Sequence, residues 1–300
     1  VRRAAEQARA NLQADVVHQL LEILIGLALV FHQRVLLAVA AQTDALAQVF
    51  HLGEVLLPVV IDGLAFGVLP EVAAQLRQRH PLIALVHHPL AFETGLSAEQ
   101  SAHFKDTERR ALAHASGVVV TSPATLHDVV EHFAVPRQSI TSILPGTDRV
   151  VKVSRPTVQG PLQLLAVGSV VKRKGFDILL PALAQLSALS WHLTIAGDLT
   201  RDAEAVAQLH RDLDRFDLSS RVRVLGAIDS AQLQTLYAQA DVFVLASRFE
   251  GYGMAYAEAL AHGLPVIGTT AGAIPDTVPA TAGLLAEPGD RKSTRLNSSH

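Results

Sequence analysis

The sequence predicts an α/β protein built from two Rossmann-like, doubly wound parallel sheets. Three observations predict it. From Leu57 onward, short β-branched or aliphatic runs alternate with helical patterns at the spacing of βα units. Those runs are continuously apolar rather than alternating, as strands covered on both faces must be. The 300 residues, 49% of them hydrophobic, exceed one ordinary core and suffice for two, so the prior is two units of roughly 150 residues each.

In the first unit, "PVVID", "LIALVHH", "GVVVTS" and "SITSIL" read as strands, with helices near 70–79, 98–115 and 123–134. In the second, the strands are "LQLLAVG", "HLTIAG", "RVRVLG", "DVFVLAS" and "PVIGT", with helices near 175–188, 201–216, 230–239 and 253–262. Between them, "GTDRVVKVSRPTVQGP" is rich in turn formers and has neither period, which marks it as the hinge. The expected boundaries are 57–148 for the first unit, 149–160 for the hinge and 161–289 for the second unit.

The two ends of the chain depart from this pattern. Residues 1–56 show helical periodicity but no strand followed by a glycine-rich turn, the feature that should open a nucleotide-binding α/β unit. They read either as a helical preface or as a non-native segment. Within them "LLEILIGLALVF" is too short to span a bilayer and lacks the leader and cleavage site of a signal peptide, so a buried helix is expected. The final "DRKSTRLNSSH", residues 290–300, breaks the composition, since asparagine occurs elsewhere only at Asn11. That string looks like a translated sequencing adapter and is set aside from the fold.

Composition narrows the function classes. With no cysteine, disulfide frameworks, thiolate metal sites and thiol nucleophiles are excluded together. A net charge of −3 gives no electrostatic footprint for nucleic acid. Cytoplasm is the default compartment.

The chemistry concentrates in "SRFEGYGMAYAEALAHGLPV", where Glu250 and Glu258 lie in a run otherwise dominated by glycine, alanine and apolar residues. Ligands of open α/β sheets bind beyond the carboxyl ends of the strands, where the loop after "DVFVLAS" falls. Gly251 and Gly253 allow close backbone approach, and a helix starting near Gly253 would aim its free N–H groups at an anion such as a phosphate. A carboxylate at Glu258 is costly unless hydroxyls or N–H groups satisfy it, and a ribose diol suits two carboxylate oxygens. Glu250 can accept from a second polyol. The pattern suggests a nucleotide diphosphate sugar. In "KRKG", the cations Lys172, Arg173 and Lys174 stand before or at a helix start, where they oppose the macrodipole and an anionic ligand would relieve them. The alternative is a solvated basic turn compensated by Asp177. His87 and His88 close the strand "LIALV", at a carboxyl end in the first unit.

"FEGYGMAYAEALAHGLPVIGT" resembles the Glu-x7-Glu motif of family 4 glycosyltransferases. "LLAVGSVVKRKGFDILLPAL", "WHLTIAGD", "RVRVLGAID" and "LYAQADVFVLASRFEGYG" precede it in the family's order, over residues 161–289. "VIDGLAFG", "ALVHHPLAFETGL", "VVVTSPAT" and "ILPGTD" extend the likeness to about residue 57. The resemblance implies the GT-B fold, two Rossmann-like domains facing across a cleft. It implies retaining, metal-independent hexosyl transfer from a nucleotide diphosphate sugar to an unidentified glycan, lipid or small-molecule acceptor, with no cofactor.

By the same resemblance, Glu250 contacts the donor sugar and Glu258 the ribose, with Gly251, Tyr252, Gly253 and Met254 near the diphosphate. Lys174 falls on the phosphate-binding lysine, and His87 matches a histidine near the donor sugar. Ser169 stands where many members have an arginine, which leaves neutralisation to Lys174 with help from Arg173. Gly226 ends a strand where members contact the base through backbone. "ILPGTD" lacks the asparagine usual in that turn, and Asp276 replaces a common glutamate; simple turn chemistry is the favoured reading of Gly146 and Asp276. An epimerase or phosphorylase of the same fold, a nucleotide-binding module without turnover, and a scaffold stay open beside the transferase. So does weak membrane-surface association.

Overall fold

The computed structural model describes residues 58–148, 150 and 160–288. The readings for residues 1–56, nearly all of the hinge and 290–300 lie outside these. The first sheet contains β1 (Val59–Asp62), β2 (Leu82–Val86), β3 (Gly117–Val120) and β4 (Ile140–Ser142), all parallel and in chain order. Around it run α1 (Gly63–Gly67), α2 (Pro70–Leu76), α3 (Ala98–Leu112) and α4 (Pro123–Phe133). Each strand expected in this unit is present. The helix α1 was not expected from sequence, because one turn capped by the Asp62 carboxylate on Leu64 N at 2.9 Å is too short to show a period.

The second sheet contains β5 (Leu162–Val167), β6 (Trp191–Ala196), β7 (Val222–Val224), β8 (Val242–Val244), β9 (Val266–Thr269) and β10 (Gly283–Ala286). Its helices are α5 (Phe176–Ala184), α6 (Ala203–Arg215), α7 (Ser230–Gln239), α8 (Met254–Ala261) and α9 (Ile274–Thr277). The strand order is β10-β9-β8-β5-β6-β7, again all parallel. The chain therefore winds outward from β5 through β6 to β7, then returns to the other side of β5 as β8. That reversal is a topological switch point, where loops on neighbouring strands part and leave a crevice. It brings the loop after β5 and the loop after β8 side by side, although they are far apart in sequence. The sequence did not reveal β10, whose Leu284 is 58% exposed at the sheet edge.

Local chemistry sets the helix ends. Ser97 and Gln100 close a capping box on α3, Asp229 and Gln232 another on α7, and Asp202 caps α6 through Ala205 N at 2.9 Å. Phe66, Leu76, Leu82 and Phe133 fill the first core; Leu165, Leu180, Leu193, Ile195, Phe243 and Tyr256 fill the second. Among the described residues no helix is long and apolar enough to cross a membrane.

Candidate functional site at the switch point

The loop after β5 turns through a short 3-10 helix, Lys172–Lys174, and meets α5 at Gly175. Side chain and backbone stitch it to the loop after β8. Arg248 N donates to Arg173 O at 2.7 Å, and Arg248 Nη1 donates to Lys172 O at 2.6 Å. The Arg248 guanidinium also forks onto both oxygens of Asp177, at 2.8 and 2.7 Å. Asp177 thus compensates chiefly Arg248, with Lys172 acting on it as a weaker charge.

This stitching places two cations on one buried carboxylate. Glu250 is 5% exposed. Its Oε1 accepts from Lys174 Nζ at 2.7 Å and Ser247 Oγ at 2.6 Å, and its Oε2 accepts from Arg173 Nη1 at 3.1 Å. Burial pushes the Glu250 carboxyl up, but the charges of Lys174 and Arg173 outweigh it and hold the group below the usual carboxylate range. Arg173 Nη1 also donates to Phe249 O at 2.9 Å, and its Nε stands 3.5 Å from Glu93 of the first unit. Arg173 and Lys174 pair with Glu250, and Arg173 also with Glu93, acidic partners distant in sequence.

Beyond Glu250 the chain passes close to the first unit. A Cβ on Gly251 would lie 2.3 Å from His87 O, so only glycine permits this approach. Thr125 Oγ1 donates to Gly251 O at 3.2 Å, and Ala124 N donates to Asp276 Oδ2 at 3.2 Å. Asp276, read from sequence as turn chemistry, reaches the start of α4 across the cleft. Gly253, at φ +93, precedes α8, whose start no side chain caps. Tyr252 O accepts from Thr277 Oγ1, and Met254 is exposed. Glu258, half-buried on α8, accepts from Tyr237 OH through Oε2 at 2.8 Å.

The first unit supplies a second charged row. His87 Nε2 lies 3.3 Å from Asp62 Oδ2 at the ends of β2 and β1. This hydrogen bond raises His87 above the ordinary histidine value, against its partial burial. His88 Nε2 lies 3.0 Å from Glu93 Oε2. Burial pushes Glu93 up, but His88 and Arg173 outweigh it and hold the carboxyl at about 2. Beneath this loop, Glu108 of α3 is 4% exposed and accepts from Leu90 N at 2.8 Å and Ala91 N at 3.0 Å. Among the described residues no cluster of three His, Cys, Asp or Glu side chains could hold a metal ion.

Residues 161–295 match the family described as Glycosyl transferases group 1. The chain carries a group 1 glycosyltransferase domain. Mannosylfructose-phosphate synthase of Agrobacterium fabrum is 30% identical over 192 residues, covering 58% of this chain and 42% of that protein. Sucrose-phosphate synthase of Thermosynechococcus elongatus is 26% identical with a TM-score of 0.66, covering 78% of this chain and 61% of that one. HepE of Anabaena, in complex with UDP and glucose, is 25% identical with a TM-score of 0.63, covering 77% and 64%. The two parallel sheets are those of a GT-B glycosyltransferase. The chain spans about half the length of the curated relatives it matches.

Within this glycosyltransferase domain, the structure brings Lys174, Arg173 and Glu250 into direct contact, and it sets Gly251 against the His87 backbone of the first unit. The His87 imidazole itself pairs with Asp62 and is 53% exposed. Ser169 follows Gly168, whose position packs against the Lys174 stem, and Gly226, at φ +70, accepts from Gly197 N at 2.9 Å on the same strand-end rim. Asp62, Glu93, Glu108 and Tyr237 were missed from sequence. Asp62, Glu108 and Tyr237 bond residues remote in the chain and Glu93 forms an ion pair with remote Arg173, and no local spacing marks such partners.

Proposed function

We propose that the chain transfers a hexosyl group from a nucleotide diphosphate sugar to an acceptor hydroxyl, with retention at the anomeric carbon. The observation that carries this reading is the Lys174–Glu250–Arg173 cluster at the switch point, beside the uncapped start of α8. The UDP and glucose in the HepE complex support the donor class.

In this reading the bond between the sugar C1 and the diphosphate oxygen breaks, and its electron pair leaves on the diphosphate. Lys174 keeps two N–H donors beyond the one on Glu250, and Arg173 keeps donors beyond those on Glu250 and Phe249 O. Together with the helix start they meet the developing negative charge. Glu250 orients both cations and presents its remaining lone pairs to the sugar. Glu258 holds the ribose hydroxyls, the backbone at Gly226 receives the base, and Ser169 lies at the diphosphate. The acceptor oxygen forms the new bond to C1 on the face the diphosphate leaves. Its proton passes to the departing phosphate oxygen, so no side-chain base is required. His87 would act from the first unit beside the donor sugar, and positioning by both units supplies much of the rate.

The test is transfer from UDP-, GDP- and ADP-glucose to simple sugar acceptors, with the product anomer read by proton NMR. Retention with release of one nucleoside diphosphate supports the reading. An inverted product overturns the stereochemical part. Nucleotide binding without any transfer makes the chain a binding module.

A further inference from the structure

Glu258 sits half-buried on α8, a position at which a glutamate side chain ordinarily samples several rotamers. Here one of its oxygens is already taken. Tyr237, on the neighbouring α7, is fully buried, and its phenol reaches out of the core to donate to Glu258 Oε2 at 2.8 Å. The same hydroxyl lies 3.3 Å from Ala255 O, in the first turn of α8. The ring beneath is fixed on both sides: it stacks on His262 with centroids 4.9 Å apart and packs against Phe243 at 6.4 Å. Nothing in this arrangement is free to rotate away.

We propose that Tyr237 is a positioning residue for nucleoside recognition: it pins Glu258 Oε2 so that Oε1 is presented to the ribose diol. The inference rests on the donor-binding reading of Glu258 and deepens it. Burial, followed by the nearby Glu258 charge, pushes the Tyr237 hydroxyl far above its ordinary value, so it stays protonated and always donates. A carboxylate held in one rotamer loses less side-chain entropy when the ligand arrives, so the hydrogen bond is felt as affinity. Tyr237 touches no substrate. Its effect on the ligand passes through Glu258.

The experiment is calorimetric titration of the full chain with UDP and GDP and with their 2′,3′-dideoxy counterparts. It compares the wild type with Tyr237→Phe, Glu258→Ala and the double variant. Phenylalanine keeps the ring and its stacking, and circular dichroism verifies the fold. The expected result is about a tenfold loss of affinity in Tyr237→Phe, the scale of one hydrogen bond to a charged group. The double variant should bind as Glu258→Ala does, and the dideoxy nucleotide should bind the wild type and Tyr237→Phe equally. Losses that add, or a dideoxy nucleotide weakened as much as the ribonucleotide, would overturn the inference by assigning Tyr237 a packing role. If Glu258→Ala weakens binding and Tyr237→Phe does not, this inference fails and the donor site stands. If Glu258→Ala binds like the wild type, both fail.

Discussion

Replacing Glu108 by glutamine should change how stability depends on pH. The carboxyl is buried under the loop that carries His87, His88 and Glu93, and it holds that loop by the amides of Leu90 and Ala91. Burial pushes it from 4.5 up to about 7, against the opposing pull of the two amides and His88. The folded state therefore binds a proton that the unfolded state releases near 4.5. The stability this proton contributes is complete below the unfolded value and is lost as pH rises through the folded one. Between pH 5 and pH 8 the loss works out at about 2.5 kcal/mol for a shift of this size. Glutamine cannot titrate, so its unfolding free energy should fall by about 2.5 kcal/mol less over the same interval. Urea unfolding followed by far-UV circular dichroism is the assay. Trp191 and all three tyrosines lie in the second unit, so their fluorescence does not report on this loop. His87, also raised, titrates in both proteins and cancels in the comparison. Parallel stability curves for the two proteins would refute the reasoning, because Glu108 would then titrate alike in the folded and unfolded chains.

Two further substitutions probe the cleft. Gly251→Ala puts a methyl group 2.3 Å from His87 O, so it should force the two units apart and lower kcat/KM about tenfold or more, measured by steady-state transfer; unchanged kinetics would show that this contact is not kept during turnover. Arg248→Lys replaces a two-bond fork on Asp177 by a point charge and loosens the KRK turn. It should cost about 1 kcal/mol in urea unfolding, the pair being partly exposed, and weaken nucleotide binding severalfold in a titration; wild-type affinity would show that the turn holds its shape without the fork.

Much of the fold was legible because strand and helix periods are local. "LQLLAVG" and "DVFVLAS" show themselves as buried strands by composition alone, and the expected strands of both sheets are present. Glu250 stands out against glycine and alanine and Lys174 belongs to a run of three cations, but nothing local says that the two side chains meet. What escaped is pairing. Lys174 and Glu250 are 76 residues apart, and Ala124 and Asp276 are 152 apart. Those contacts exist only after β8 has returned to the side of β5 and the two units have met. Charge balance read along the chain offers Asp177 only as an alternative partner for the neighbouring basic turn. In the folded chain Arg248 takes Asp177, because a planar guanidinium fits both carboxylate oxygens. The Tyr237 ring is core, and only the packing of α7 beside α8 brings its hydroxyl to Glu258.

The most direct measurement is a thermal-shift titration of the full chain with UDP, GDP and ADP. Lys174→Ala and Glu258→Ala are run alongside, with Arg211→Ala, an exposed side chain on α6, as the control. A nucleotide that binds only the folded state at 100 times its Kd stabilises it by about 2.7 kcal/mol, a rise of roughly 5 °C or more in Tm. The two-part donor site predicts such a rise with one nucleotide, lost in both site variants and kept in the control. A rise that survives both substitutions would place the nucleotide elsewhere and contradict the account.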